Sequence, residues 1–232
     1  MVSKYVIFDM DGVIFDTEAL MIRCYESVAK EYHLPRVTEV CRKCIGVNEI
    51  RTQEIFYEHY GDEVPLLEIR QKVLALFRHT TNTQGVPVKP FADDLLKFLK
   101  NDGYSLALAS STITETVMHE LKQSGFYDYF DSIIGGDMVS NSKPNPDIFL
   151  VACEKLGCAP SEAYVIEDSI NGIRAAHAAG TLPLAVPDLI VLPDEIKPLC
   201  AYIFSDLSEV LTFFKATPHG NVNTTGGKNK VE

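Results

Sequence analysis

Four groups of polar residues stand just after a short apolar run of the sequence or in the loop that follows one. They are Asp9 with Asp11, Ser110 with Ser111, Lys143, and Glu167 with Asp168. Apolar runs of this kind are typical of buried strands that have helices on both faces. Because ligands of an open parallel sheet lie beyond the carboxyl ends of its strands, we expect all four groups to meet at one edge.

These residue types together predict chemistry on a phosphate. Several carboxylates in one place repel one another unless a cation joins them, and Mg2+ prefers oxygen ligands. Lys143 and the hydroxyl and N–H groups of Ser110 and Ser111 are suited to bind phosphate oxygens. Asp9 is then the best-placed nucleophile for attack on phosphorus. Asp11, two residues later, is suited to protonate the leaving oxygen and then to deprotonate water.

The elements that position these residues are predicted from apolar patterns. Strands are expected at Tyr5–Phe8, Tyr104–Ala109, Ser132–Ile134, Tyr164–Ile166, Pro183–Val186 and Tyr202–Phe204. Helical patterns alternate with them, at about 92–101, 113–124, 147–156 and 170–178, and a last helix follows. Such alternation predicts an α/β fold with a doubly wound parallel sheet, in which right-handed crossovers join the strands.

The chain divides into three parts by pattern. Residues 16–85 have helical spacing of apolar residues and end in a run rich in turn formers, which predicts an inserted helical cap. Residues 1–15 and 86–216 would form the α/β core. Residues 217–232 contain almost no apolar side chains, and this composition predicts a disordered tail.

Composition limits the class of partner. The chain has 232 residues, 46% of them hydrophobic, and a formal net charge of −11, which is typical of a globular enzyme. Nucleic acids and anionic membranes require clustered Lys and Arg, so neither is an expected partner. An anionic small metabolite would instead be held by a local cation. We expect a monomer by default, since no exposed apolar stripe is evident.

The six cysteines indicate a reducing compartment. They have no dense spacing framework, and no signal sequence or membrane-spanning apolar run accompanies them. This favours a cytoplasmic protein with reduced thiols. Cys41 and Cys44 have the spacing of a zinc ligand pair, but a structural zinc site needs four ligands and no second pair is nearby.

Taken together, the motifs resemble those of the haloacid dehalogenase superfamily. The matching segments are Asp9-Met10-Asp11-Gly12-Val13, Ser110, Ser142-Lys143-Pro144-Asn145-Pro146-Asp147, and Ile166-Glu167-Asp168-Ser169 with Asn171-Gly172. Their order and spacing match along roughly residues 1–210. The insertion after Asp16 resembles the helical cap of the subgroup that contains β-phosphoglucomutase and many sugar-phosphate phosphatases.

The resemblance implies a role for each residue. Asp9 would be the nucleophile and a Mg2+ ligand, and Asp11 would be the acid/base and a ligand through its carbonyl. Asp168 would be the remaining protein ligand, with Glu167 beside the metal as a second-shell or water-mediated partner. Ser110 and Lys143 would bind the phosphate.

The predicted cap favours a phosphatase over a mutase. By the same resemblance, a mutase of the β-phosphoglucomutase type would have a His on the first cap helix and an Arg after a Gly-Val-Ser run. Met21 and Glu49 stand at these positions, although Arg51 is close to the second. We therefore predict hydrolysis of a small phosphate monoester, such as a sugar phosphate. Asn48, Glu49 and Arg51 are the candidate cap residues for substrate binding, and the mutase is the alternative.

Two further alternatives fit the sequence less well. A metal-free dehalogenase of the same superfamily would have no use for Asp11 or for the Glu167-Asp168 pair. A receiver-type signalling module has a similar sheet. Such modules match neither the length of this chain nor the place of its candidate nucleophile on the first strand.

Overall fold

A six-stranded parallel sheet forms the centre of the protein in the computed structural model, which describes residues 4–45 and 49–216. The strands are β1 (Tyr5–Phe8), β2 (Ser105–Ala109), β3 (Ser132–Ile134), β4 (Ala163–Glu167), β5 (Leu182–Ala185) and β6 (Tyr202–Ile203). Their order across the sheet is β3-β2-β1-β4-β5-β6, and every neighbouring pair is parallel. This order places β1 between β2 and β4, so the ends of these three strands are adjacent.

Helices alternate with the strands. They are α1 (Thr17–Ala29), α2 (Val37–Cys44), α3 (Glu49–Tyr60), α4 (Leu66–Gln84), α5 (Ala92–Asn101), α6 (Thr114–Ser124), α7 (Asp147–Leu156), α8 (Ile170–Ala178) and α9 (Leu207–Ala216). The predicted α/β class with a doubly wound parallel sheet is confirmed. The strand ends differ from the predicted ones by one residue or are identical, because short apolar runs bounded by polar turns define them well.

Both faces of the sheet are covered, as its continuous apolar strands require. Val6 and Phe8 point to one face and pack with residues of α5, α6 and α9. Ile7, between them, points to the other face and packs against α7 and α8. The alternation follows from the period of two along a strand. Val6, Ile7 and Phe8 are fully buried, and Asp9, which follows them, is buried as well.

Four helices, α1 to α4, lie between β1 and the rest of the sheet in sequence. They pack mainly on one another, through two apolar clusters that include Phe56 and Ile69. This arrangement agrees with a helical cap in the region predicted from residues 16–85. The division into a core of 1–15 and 86–216 and a cap of 16–85 remains our proposal. The predicted tail, 217–232, lies outside the described residues.

Two short segments connect these four helices to the sheet, and they run side by side. The Asp16 N–H donates to the Pro87 carbonyl at 2.7 Å, and the Lys89 N–H donates to the Ile14 carbonyl at 2.9 Å. The entry and exit of the helical region are therefore joined at one place, next to the end of β1. Within 4–45 and 49–216, none of the helices has the length and apolar character needed to cross a membrane.

Candidate active site

Asp9 lies directly after β1, between the ends of β2 and β4. Its N–H donates to the Ile166 carbonyl at 3.0 Å, and its side chain is buried. The Lys143 Nζ donates to Asp9 Oδ1 at 2.6 Å and to Glu167 Oε1 at 2.7 Å. These two bonds are between buried charged groups, and such bonds are shorter and stronger than bonds between neutral groups. The loop after β3 thus delivers Lys143 into a bridge between the ends of β1 and β4.

The electrostatic balance of this centre is negative. Burial raises the pKa of Asp9 to about 7; Lys143 opposes the rise, while Glu167 and Asp11 add to it. Burial and the charges of Glu167 and Asp9 also raise the pKa of Asp168 well above its ordinary value. For Lys143, burial lowers the pKa, but the two carboxylates that it contacts raise it overall. The ammonium therefore stays charged, and it faces more carboxylates than it can neutralise.

Three of these carboxylates form a potential metal site. Asp9, Glu167 and Asp168 are all buried, and one carboxylate oxygen of each lies within 4.8 Å of the others. No other group of three His, Cys, Asp or Glu residues with this spacing occurs within 4–45 and 49–216. Oxygen ligands with excess negative charge fit Mg2+, which prefers such ligands. Glu167 also accepts bonds from the N–H and the hydroxyl of Ser169, at 2.8 and 2.9 Å, so one of its oxygens has partners already.

Two glycines allow this close packing of carboxylates. Gly12 has φ +81°, and a Cβ added to it would lie 2.2 Å from Asp168 Oδ2. A Cβ added to Gly172 would lie 1.6 Å from Glu167 Oε1. Both contacts are far shorter than any real Cβ contact, so a side chain at either position would displace an acidic group. The glycines in the first and last predicted motifs are thus required by the position of the carboxylates that they contact.

Asp11 is held on a different side of the centre, by hydroxyl groups that follow β2. The Thr112 hydroxyl donates to Asp11 Oδ2 at 3.0 Å, and the buried Ser110 hydroxyl lies 3.4 Å from the same oxygen. Ser110 Oγ also accepts from the Thr112 N–H at 3.0 Å. Sequence reasoning assigned no role to Thr112. Its only signal there was its place in the polar run after a predicted strand.

The structure brings most of the predicted residues together, and the remainder lie elsewhere. Asp9, Asp11, Ser110, Lys143, Glu167 and Asp168 are all at the carboxyl edge of the sheet. Ser111 is next to Ser110 but exposed. Arg51 is on α3 and donates to Glu54 and Glu58 of the same helix, at 2.9 and 2.8 Å. Asn48 and the side chain of Glu49 lie outside the described part of the chain. The roles of Ser111, Asn48, Glu49 and Arg51 in substrate binding stay predictions.

A cavity of about 560 Å3 lies between the helical insertion and the core, and we call it the α4–α6 cleft. Its lining comprises Met21 of α1, Leu74, Phe77, Arg78, Thr81 and Asn82 of α4, and Glu115, Thr116, His119 and Glu120 of α6. Helix α6 begins two residues after Thr112, which contacts Asp11. The volume is in the range of small-ligand sites, which are commonly formed between two domains.

Comparison with known proteins places this architecture in a family. Residues 6–186 match the family model described as haloacid dehalogenase-like hydrolase. A protein from Thermotoga maritima named phosphorylated carbohydrates phosphatase is 34% identical over 175 residues, which are 75% of this chain and 81% of that protein.

Two solved structures have the same architecture. A hydrolase of this family from Deinococcus radiodurans, with bound phosphate and sodium, superposes with a TM-score of 0.78 at 24% identity, over 89% of this chain and 93% of its own. At that identity the likeness concerns the fold alone. CbbY from Rhodobacter sphaeroides, in complex with phosphate, has a TM-score of 0.66 at 25% identity, over 90% of this chain and 96% of its own.

Proposed function

This chain belongs to the haloacid dehalogenase-like hydrolase family, and we propose that it hydrolyses a small phosphorylated sugar through a phosphoaspartate on Asp9, with Mg2+ as cofactor. The family follows from the match over residues 6–186, and the predicted phosphatase class is confirmed by relatives that are named phosphatases. The proposed part comprises the substrate, the metal and the role of each residue.

The observation that carries the proposal is the buried Lys143 bridge at the end of β1. A lysine that contacts Asp9 and Glu167, both buried, is positioned to attract the anionic oxygens of a phosphate toward the Asp9 carboxylate. A negatively charged centre would otherwise repel an anionic substrate. Asp9, Glu167 and Asp168 would hold Mg2+, which when bound would neutralise part of the phosphate charge.

The residues then account for two successive displacements at phosphorus. In the first, an Asp9 carboxylate oxygen attacks phosphorus, the bond from phosphorus to the ester oxygen breaks, and Asp11 gives that oxygen a proton. In the second displacement, Asp11 takes a proton from a water molecule as the oxygen of that water attacks phosphorus. The bond to Asp9 then breaks, which releases inorganic phosphate and restores the carboxylate.

A sugar phosphate is the proposed substrate class. The name of the Thermotoga maritima relative refers to phosphorylated carbohydrates, and the chain covers 81% of that protein. The α4–α6 cleft has a size suited to a small organic group, with neutral polar side chains such as Thr81 and Asn82 on its wall.

The proposal is tested by phosphate release from a panel of esters with Mg2+, with wild-type protein and Asp9→Asn. We expect Asp9→Asn to reduce kcat by at least about 10^4-fold, since the nucleophile is lost while the shape of the side chain is kept. Rapid quenching of the wild type with a 32P-labelled ester should give protein label that hydroxylamine removes, and Asp9→Asn should give none. Asp62→Asn, an exposed carboxylate, is the matched control.

Three results would contradict the proposal. The first is activity of Asp9→Asn within tenfold of the wild type. The second is full activity in EDTA, together with an unfolding midpoint that Mg2+ does not raise. The third is efficient conversion of β-glucose 1-phosphate to glucose 6-phosphate with little phosphate released, which would identify the mutase alternative.

A further inference from the structure

We propose that Glu120 is a specificity-determining residue: in the α4–α6 cleft it accepts a hydrogen bond from a hydroxyl of the substrate, and so selects polyhydroxylated phosphate esters over carboxylated ones. The inference rests on the proposed function and extends it to the organic part of the ester. Nothing in the sequence motifs points to this residue, which lies in the middle of α6.

The first observation is that Glu120 is buried without a complete set of partners. Glu120 is only 8% exposed, and its Oε2 atom has no hydrogen-bond partner in the described part of the chain. A buried carboxylate oxygen without a donor is unfavourable, so such groups are rare and require an explanation. The fold itself does not explain the buried carboxylate. The other two buried residues of α6, Val117 and Leu121, are apolar and pack in the core, where they supply no side-chain donor.

The second observation is where Glu120 lies. It lines the α4–α6 cleft together with Met21 and Phe77, so a molecule in the cleft would lie beside its carboxylate. Asp11 is close enough for its charge to contribute to the raised pKa of Glu120, for which burial is the larger cause. The cleft therefore lies within electrostatic range of the group that would protonate the leaving oxygen. An ester whose phosphate is at Asp9 would extend its organic part in this direction.

The chemistry of the wall identifies the class of ligand. A carboxylate accepts hydrogen bonds from hydroxyl groups, and Thr81 and Asn82 supply further polar contacts on the same wall. Arg78 and His119 also line the cleft, but both are exposed, whereas Glu120 is buried. At pH 8, where Glu120 is ionised, a substrate carboxylate in the deep part would meet a like charge in a poorly hydrated site, which is unfavourable. A chain of hydroxyl-bearing carbons is neutral and would not be repelled by this charge.

The test compares kcat/KM of several esters at pH 8 for the wild type, Glu120→Ala and Glu120→Gln. The hydroxylated esters are ribose 5-phosphate, glucose 6-phosphate and glucitol 6-phosphate; 2-phosphoglycolate is the carboxylated ester, and p-nitrophenyl phosphate has no hydroxyl. We expect Glu120→Ala to reduce kcat/KM at least about tenfold for the best hydroxylated ester and less than about twofold for p-nitrophenyl phosphate. Glu120→Gln, which keeps an acceptor but loses the charge, should restore part of the loss and improve 2-phosphoglycolate.

The ratio of two substrates in one preparation does not depend on the folded fraction, so partial unfolding of a variant leaves the test valid. Glu154→Gln, an exposed glutamate on α7, controls for the loss of one charge. An equal loss on every ester, or no loss on any, would overturn the inference, as would a wild type that prefers 2-phosphoglycolate. If the wild type hydrolyses none of the five esters with Mg2+, the proposed function itself fails.

Discussion

Charged groups at the carboxyl edge of the sheet and on α3 are arranged in opposite ways. Lys143 is only 7% exposed and joins Asp9 and Glu167, which come from two different strand ends. The Arg51 side chain is 47% exposed and joins Glu54 and Glu58 of its own helix. Buried pairs are costly to break because they leave an unpaired charge, whereas exposed pairs contribute little. We therefore expect substitution of Lys143 to change stability and activity more than substitution of Arg51.

Glu120 and Thr112 lie between these extremes. Glu120 is buried but has an oxygen without a partner, and Thr112 is half-buried and contacts Asp11. If burial and pairing decide the effect of a substitution, both residues should give intermediate effects.

The largest effect is expected for Lys143→Ala. The substitution leaves Asp9 and Glu167 buried without their cation, which should reduce the free energy of unfolding by about 3–5 kcal/mol in the absence of Mg2+. It also removes the proposed phosphate ligand, so kcat/KM should fall at least about 10^3-fold. Urea unfolding and phosphate release measure the two changes. Lys155→Ala, an exposed lysine on α7, should change stability by less than about 0.5 kcal/mol. Similar small effects for both variants would remove the contrast between buried and exposed charges.

The second-largest effect is expected for Glu120→Gln, which should change how the free energy of unfolding depends on pH. Burial raises the pKa of Glu120 from 4.5 to about 7, so the folded state binds this proton more tightly than the unfolded state. The contribution of Glu120 to wild-type stability is therefore lost as pH rises from about 4.5 to 7, and Glu120→Gln lacks this loss. Relative to the wild type, the variant should gain on the order of 2 kcal/mol between pH 4.5 and 8. Unfolding of both proteins in urea without Mg2+ measures the difference, and a difference that is constant with pH would contradict the prediction.

The third effect is expected for Thr112→Val, which removes the hydroxyl that donates to Asp11. We expect kcat/KM, which reports the steps up to transfer of the phosphoryl group to Asp9, to fall about tenfold for alkyl phosphates, whose leaving oxygen needs a proton. For p-nitrophenyl phosphate, whose leaving group is stable as an anion, the loss should be less than about twofold. Thr112→Ser keeps the hydroxyl and should restore the activity. Equal losses for the two kinds of ester would show that Thr112 is only structural.

The smallest effect is expected for Arg51→Ala. A substrate would have to compete with Glu54 and Glu58 for this guanidinium, so KM should rise by no more than about threefold, with kcat unchanged. Glu54→Ala is the matched variant, since it removes one competitor and should lower KM slightly. A rise in KM of more than tenfold for Arg51→Ala would mean that the cap contributes more to substrate binding than its exposed pairs indicate.

The sequence by itself determined the fold class and most of the candidate reacting groups. The run Tyr5–Phe8 and the later apolar runs are strong signals of buried parallel strands, and such strands bring the residues after them to one edge. Asp9, Lys143, Glu167 and Asp168 could therefore be predicted to meet, although they are up to 159 positions apart in the chain. The family that these motifs resembled is also the family whose model matches residues 6–186.

Only the tertiary structure decided how these groups are balanced and what surrounds them. The contact of Lys143 with both Asp9 and Glu167, the hydroxyl of Thr112 on Asp11 and the unpartnered oxygen of Glu120 all depend on side-chain directions. A linear pattern contains the spacing of residues along an element but not the packing of one element on another. Local periodicity could thus place residues at the edge of a sheet, whereas their burial, and the pKa shifts and unpaired atoms that it causes, depend on how strands and helices distant in sequence pack together.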